Sequence, residues 1–248
     1  MADRISNHVV FINGAWMTSG CWSNFRKPFE AAGYTVHTTE WPMLDISKAT
    51  ATELRVRPPE GLGSLTVGAI VAHFKAIIDA LPEPPLLVGH SFGGLFVQKL
   101  MALGAGAGGI ALDPAPPAGV IPGPVSLAAA LPVLARWNAW NRPYTLTRKG
   151  FAGSFANTIA PEAQAEAYDR LVVPTSGRVF LEAATGIGTS VRPRARSKPL
   201  LITVGEHDRT VTPFVARQNA ALQRKSTAPV SFKEFPGRSH FLIAEPGW

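Results

Sequence analysis

Cysteine is almost missing from this chain. Cys21 stands alone, so no intrachain disulfide can form, and a metal site built on cysteines is not expected. Long apolar runs are missing too. No stretch approaches the roughly 18 apolar residues of a membrane span. The N-terminal apolar run, Val9 to Ile12, falls short of the roughly 7–15 residues of a signal-peptide core. A soluble, cytoplasmic protein with no stable membrane insertion is therefore expected. Charge is sparse, with Asp, Glu, Lys and Arg at 17%, against about a quarter in average domains. The balance is basic, at a formal +7, but the basic residues scatter and cluster only in "VRPRARSK", Val191 to Lys198. No aromatics interleave with that cluster and no nucleic-acid motif accompanies it. It reads as a solvated loop, or as a mild attraction for anionic groups, and a nucleic-acid partner is not expected.

What is present suits one α/β domain, with or without an insertion: 248 residues, 46% of them hydrophobic. Short β-branched runs alternate with helical periodicity. "HVVFI", "YTVHTTEWP", "PLLVGH", "GGIALD", "KPLLITVGEHD" and "VSFKEFPG" read as strands. "SNFRKPFEAAG", "LTVGAIVAHFKAIIDAL", "GGLFVQKLMAL" and "TPFVARQNAALQR" read as helices between them. Such alternation predicts a mostly parallel, doubly wound sheet with helices on both faces. From Pro114 to about Lys198 the rhythm changes. "PAPPAGVIPGP" breaks regular structure, and helical patches follow ("SLAAALPVLARW", "PEAQAEAYDRLV") with no strand of comparable strength. The expected organisation is a core formed by residues 1–113 and 199–248 and an insertion, 114–198, over one end of the sheet. Ligands of open parallel sheets sit beyond the carboxyl ends of the strands, so polar residues just after strands carry the functional question.

The sharpest such stretch is Gly89-His90-Ser91-Phe92-Gly93, between a predicted strand and a predicted helix. Glycines there remove the Cβ atoms that would clash where strand and helix converge. The turn pushes the serine hydroxyl past the sheet, and the helix N-terminus aims N–H groups at the same space. The bland alternative is a glycine-rich packing turn. A phosphate-binding loop is disfavoured because no Lys-Ser/Thr follows the glycines.

A serine hydroxyl needs a base within hydrogen-bond reach. Of the six histidines, only His207 and His240 lie on loops beyond strand ends. His240 follows the last strand and is preferred. His90 adjoins Ser91 and is expected to point away into the sheet packing. A carboxylate should orient the imidazole. Asp208, directly after "LLITVG", leads. Asp113, at the end of "GGIALD", is the competing acid, and Glu206 would point elsewhere. The oxyanion of an acyl-transfer intermediate needs donors in place beforehand. The backbone N–H of Phe92 is one candidate. The other is Ala15, in the "NGAWMTSGCW" loop after the first strand, whose alternative reading is a simple Asn-Gly turn packed by Trp16 and Trp22.

With these residues placed, the chain resembles the α/β-hydrolase superfamily over nearly its whole length. "GHSFGG" is similar to its nucleophile elbow, "NGAW" to its oxyanion loop, "VGEHDRTVTP" to its acid loop and "SHFLIAEPG" to its histidine loop. The order Ser, acid, His agrees as well. The resemblance implies Ser91 as nucleophile, His240 as general base and acid, Asp208 as orienting carboxylate, Ala15 and Phe92 as oxyanion donors, and a helical cap over 114–198. It implies no cofactor and no metal. Two features depart from the pattern. The oxyanion loop commonly reads His-Gly, where this chain has Asn13-Gly14. Members also usually continue into a closing helix after the histidine, so a chain running on beyond Trp248 is expected.

Serine at the elbow, where epoxide hydrolases and haloalkane dehalogenases of this fold carry aspartate, argues for acyl-enzyme chemistry on esters, lactones, thioesters or amides, and the expected partner is a small-molecule, apolar acyl substrate. The expected activity is that of a serine esterase. Trp16, Trp137, Phe151 and Phe155, with Leu127, Leu131, Leu134 and Trp140, would shape its pocket, or else form the cap's own core. Two other readings use the same fold. One is a hydroxynitrile lyase, which would need a polar pocket group for which Thr18 is a weak stand-in. The other is a binding protein on a hydrolase scaffold.

Overall fold

The computed structural model describes residues 5–247; residues 1–4 and Trp248, on which parts of the expectations about the N-terminal stretch and about chain continuation rest, lie outside them. The strands are β1 His8–Ile12, β2 Thr35–Thr38, β3 Leu86–His90, β4 Gly108–Leu112, β5 Pro143–Tyr144, β6 Thr175–Ser176, β7 Leu200–Gly205 and β8 Val230–Phe235. The helices are α1 Ser23–Ala31, α2 Ala51–Val56, α3 Val67–Asp79, α4 Phe92–Ala102, α5 Pro124–Leu134, the single turn α6 Arg148–Gly150, α7 Pro161–Leu171, α8 Gly177–Thr185 and α9 Pro213–Gln223. Six strands form one parallel sheet in the order β2-β1-β3-β4-β7-β8.

Strand order reverses at β1, whose neighbours are β2 on one side and β3 on the other. With right-handed crossovers, that reversal sends α1 to one face and α3, α4 and α9 to the other. On the first face Phe11 stacks on Trp22 at 4.9 Å and meets Phe29 edge-on at 5.3 Å. On the second, Gln98 of α4 accepts a bond from Gln223 of α9 at 2.8 Å. Val9, Val10, Phe11, Ile12, Leu87 and Val88 are wholly buried, as the central strands of a sheet covered on both faces must be. Register aligns the strand ends: Ile12 pairs with Gly89, Gly89 with Ala111, and Ala111 with Ile202. The residues that follow therefore come out in one row along the carboxyl edge.

Residues 114–198 add no strand to this sheet. They hold α5 to α8, with a π-helical turn at Phe151–Phe155 and the two-residue antiparallel pair β5–β6. This segment is tied to the loop after β1 by Thr18 N–H to Leu171 O (3.0 Å) and Val173 N–H to Trp16 O (2.9 Å). Glu182 of α8 accepts the N–H of Val67, the first residue of α3, at 2.8 Å.

Three helices, α2, the single turn α6 and α8, are absent from the sequence-based expectation. A signal for α2 was present. Thr50 and Glu53 close a reciprocal capping box at its start, which is a Thr-x-x-Glu pattern in sequence. The basic cluster also differs from the expected solvated loop. Arg196 is only 2% exposed, and its guanidinium bonds the carbonyls of Lys198, Gln223, Ala228 and Pro229. One of these acceptors, the Gln223 carbonyl, lies at the end of α9, where carbonyls lack intrahelical donors. The others prepare the entries to β7 and β8. This arginine is a structural plug.

Glycines set how closely β1, β3 and α4 converge. A side chain at Gly93 would collide with the Ile12 carbonyl, and one at Gly89 with the Gly93 carbonyl. Gly93→Ala is thus expected to destabilise the protein by about 2–4 kcal/mol, as backbone cannot yield like a side chain. Urea denaturation followed by circular dichroism measures it. An unchanged midpoint would show that α4 can shift away from β1.

Candidate active site

Ser91 lies between β3 and α4 with φ 56° and ψ −121°. Few non-glycine residues take such a conformation, and it costs on the order of 1–3 kcal/mol. The backbone holds it from both sides. Its N–H donates to Leu112 O at 2.9 Å, and its carbonyl accepts from Gly94 (2.9 Å), Leu95 (3.2 Å) and Ala115 (2.9 Å). The loop after β1 presses against the side chain. A methyl group on Gly14 would come within 2.6 Å of Ser91 Cβ and 3.2 Å of its Oγ.

Phe92 is the first residue of α4, so its N–H has no intrahelical acceptor. Ala15 and Phe92 both border the pocket that Ser91 borders. Asn13 stands where the expected pattern has histidine. It buttresses the loop, with its side-chain amide donating to Met17 O and its carbonyl accepting from the Trp41 indole at 2.9 Å.

His240 follows β8 in a tight loop. Its Nδ1 meets Asp208 Oδ2 at 2.6 Å, and both side chains are fully buried. The other Asp208 oxygen accepts the N–H groups of Thr210 and Val211, each at 2.7 Å. With the Nδ1 proton directed at the carboxylate, a neutral imidazole presents Nε2 as an acceptor. That Nε2 is buried with no hydrogen-bond partner among the described residues, and no hydrogen bond links it to Ser91.

The histidine loop is clamped. Ser239 and Thr158 both bond Glu245 Oε1, and His207 N–H bonds Arg238 O at 2.8 Å. The ring of Phe155 meets the His240 ring edge-on at 4.6 Å. His207 itself is exposed, and Glu206 turns away to the Gly237 N–H.

His90 does point into the protein, where its Nε2 donates to His240 O at 2.8 Å. It thus ties the residue before Ser91 to the histidine loop. Burial, reinforced by the neighbouring His240, holds its pKa well below the ordinary imidazole value. Asp113, the competing acid, also sits in this cluster. Its φ of 46° turns it toward β7, where Oδ1 accepts the Gly205 N–H at 2.8 Å. The structure pairs His240 with Asp208, not with Asp113. Burial first, and then the charge of Asp208, push the Asp113 carboxyl well above the usual carboxylate range. His90, Asp113 and His240 present ligand atoms within 4.8 Å of one another, which makes them the group with metal-ligating character among the described residues.

A narrow pocket of about 90 Å³ opens at Ser91. Trp16, Phe92, Leu127, Leu134, Phe180 and several alanines of α5 and α8 line it. Trp16 is held by its indole N–H on Tyr144 O at 3.1 Å and stacks on Phe180 at 4.8 Å. Five other expected pocket residues lie elsewhere, and two of them, Leu131 and Trp140, are exposed. Trp137 is 85% exposed, beyond the end of α5. Phe151 is buried against Phe155, Tyr168 and Phe241, so it belongs to the core of the segment. Phe155 serves as a wall of the His240 site. Phe180, Ala183 and Ala184 were missed. Their i, i+3, i+4 spacing marks an apolar helix face, but nothing in such a pattern says that the face lines a cavity.

The chain matches the family model described as "Alpha/beta hydrolase family" over residues 9–248. No curated protein matches it. Among solved structures it is similar to the monoacylglycerol lipase of Paleococcus ferrophilus, at 22% identity and TM-score 0.71, covering 97% of this chain and 88% of that one. A pyrethroid hydrolase from Sphingobium faniae JZ-2 aligns at 20% identity and TM-score 0.69, covering 96% and 92%. A methylesterase from Arabidopsis aligns at 14% and 0.67, covering 95% and 92%. At these identities the likeness is one of fold.

The raised pKa of Asp113 has a measurable consequence. In the fold it keeps a proton that the unfolded chain releases above the ordinary value of 3.8. Its contribution therefore makes stability fall as pH rises past that value. Asp113→Asn, which cannot ionise, should gain on the wild type as pH rises past 3.8, by up to roughly 1.4 kcal/mol per pH unit. Comparing the two proteins cancels the opposite trend of His90, whose neutral form is favoured. Parallel stability–pH curves from urea titrations would show instead that Asp113 is ionised.

Proposed function

The chain belongs to the alpha/beta hydrolase family, and from that premise we propose that it is a serine hydrolase cleaving carboxylic esters through an acyl-enzyme. One observation carries this reading. Ser91 is held at a strained φ of 56° on the floor of an apolar pocket, on a turn bonded to the loop of His240, whose imidazole pairs with Asp208.

In this reading Ser91 Oγ attacks the ester carbonyl carbon while His240 Nε2 takes its proton. Asp208 keeps the Nδ1 proton in place and stabilises the imidazolium that forms. The carbonyl oxygen, now anionic, turns toward the N–H groups of Phe92 and Ala15. Collapse of the tetrahedral intermediate breaks the bond to the alcohol oxygen, which receives the proton from His240. Water then enters, loses a proton to His240 and attacks the acyl-enzyme. The second collapse returns the proton to Ser91 and releases the acid.

The acyl group of the substrate would occupy the pocket between α5, α8 and Trp16. No charged side chain lines it, so an ionised acyl chain would lose hydration without compensation. A slender, uncharged acyl group is the best fit. Residues 114–198 act as the cap over a core of 1–113 and 199–248, and the fold neighbours named as a lipase, a pyrethroid hydrolase and a methylesterase agree with ester chemistry. A lyase reading gains nothing from the pocket. Its lining holds no lysine, Thr18 is buried outside it, and the hydroxyl of Thr210, the threonine that does border it, is committed to Ser154 O at 3.0 Å.

Hydrolysis of p-nitrophenyl acetate tests the proposal. Ser91→Ala should lower kcat by about 10⁴-fold or more with the fold intact; equal rates would overturn it. Asp208→Asn should lose on the order of 10³–10⁴-fold, whereas Asp113→Asn should stay within about tenfold of wild type. The reverse ranking would make Asp113 the orienting acid.

A further inference from the structure

The segment between β4 and β7 carries an apolar surface that, apart from Leu127, the pocket does not use. On α5 the exposed positions are Pro124, Val125, Leu127, Ala128, Leu131 and Pro132, and all are apolar. At 3.6 residues per turn they share one side, opposite buried Ser126 and Val133. A helix on the surface of a globular protein normally turns polar side chains to water there. The eleven residues of α5 include no charged one. Apolar surface continues past its C-terminus, where Trp137 is 85% and Trp140 38% exposed and their rings meet edge-on at 6.5 Å. Contiguous patches of this kind mark interaction surfaces.

Charge narrows the choice of partner. From Pro114 to Pro161 the chain has no Asp or Glu, yet it carries Arg136, Arg142, Arg148 and Lys149. Acids on neighbouring elements offset this in part, since Glu162 and Glu166 of α7, and Glu206 in the groove it shares with Val125, are exposed. Asp169 is paired with Arg148, and Glu182 is buried against the Val67 N–H. Glu60, near the turn at Leu62–Ser64 that packs on Ala139–Asn141, is exposed. Arg142 and Lys149 are exposed as well.

We propose that the outer face of α5, with Trp137 and Trp140, docks on an anionic lipid–water interface. Its aliphatic side chains would enter the acyl boundary, the two indoles would sit at headgroup level, and Arg142 and Lys149 would face the phosphates. A protein partner could cover an apolar face, but nothing in that role calls for cations without acids over the whole surrounding stretch. The proposal stands apart from ester hydrolysis and can fail or succeed without it.

Co-sedimentation with vesicles tests it. The wild type should pellet with vesicles of mixed phosphatidylcholine and phosphatidylglycerol at low salt, and stay in the supernatant with phosphatidylcholine alone. The double variant Leu131→Ser, Trp137→Ser should bind the mixed vesicles at least about tenfold more weakly, and so should Arg142→Glu with Lys149→Glu. Trp137→Ser alone, at a side chain almost wholly in water, guards against misfolding of the double variant. All should keep the wild-type circular dichroism and turnover of a soluble short ester. Three results would overturn the proposal: no binding of the wild type to anionic vesicles, undiminished binding of the variants, or vesicle-free dimerisation abolished by Leu131→Ser, which would make a second copy the occupant.

Discussion

A serine at φ 56° and ψ −121° is the constraint on which the rest of the site depends. Such a residue reverts to an ordinary conformation unless its surroundings hold it. Four backbone hydrogen bonds, to Leu112, Gly94, Leu95 and Ala115, do the holding. They are available because β1, β3 and α4 approach more closely than side chains permit. Gly89, Gly93 and Gly14 stand at the three points of contact. The strain at Ser91 and the missing side chains around it are two aspects of one geometric requirement.

The same crowding organises the electrostatics. Four ionisable side chains, His90, Asp113, Asp208 and His240, are packed out of water at the strand ends. They coexist because their charges are distributed unequally. Asp208 receives two backbone N–H bonds and the His240 proton, which suits a carboxylate. Asp113 receives one N–H, and next to Asp208 it keeps its proton. His90 is held neutral by burial and spends its proton on the His240 carbonyl. Among the described residues, His240 Nε2, His90 Nδ1 and one Asp113 oxygen are left without a hydrogen-bond partner.

Above the sheet, α5 meets two environments with one kind of side chain. Its inner side narrows the pocket with Ala129 and Ala130, while its outer side shows Leu131 and Pro132 to the exterior. A helix apolar on every side is stable in a soluble protein only when something else covers it. The pocket covers one side, and a lipid interface is proposed for the other. Because Leu127 belongs both to the lining and to the exposed face, the two surfaces adjoin.

Much of this molecule is legible in local pattern. Alternating β-branched and helical runs specify the six sheet strands and most of their crossovers, since strand and helix periodicities are properties of the chain itself. The serine between glycines is legible for the same reason: the turn is built from residues adjacent in sequence. Helix α2 is equally legible, in its Thr50–Glu53 capping box. Other features depend on residues far apart in the chain. Asp113 and Asp208 both follow strands, and sequence cannot say which one reaches His240. That was decided by the φ of 46° at Asp113, which commits its carboxyl to Gly205. Arg196 reads as a surface charge until five acceptors from residues 198–229 close around it. Trp137 reads as a pocket residue until the end of α5 turns it outward. The sequence by itself determined the sheet, the elbow and the order of the reactive groups, because those follow from backbone periodicity and missing side chains. Only the tertiary structure decided which acid meets the histidine, which residues line the pocket and which apolar face is left uncovered, because burial and contact belong to the packed chain.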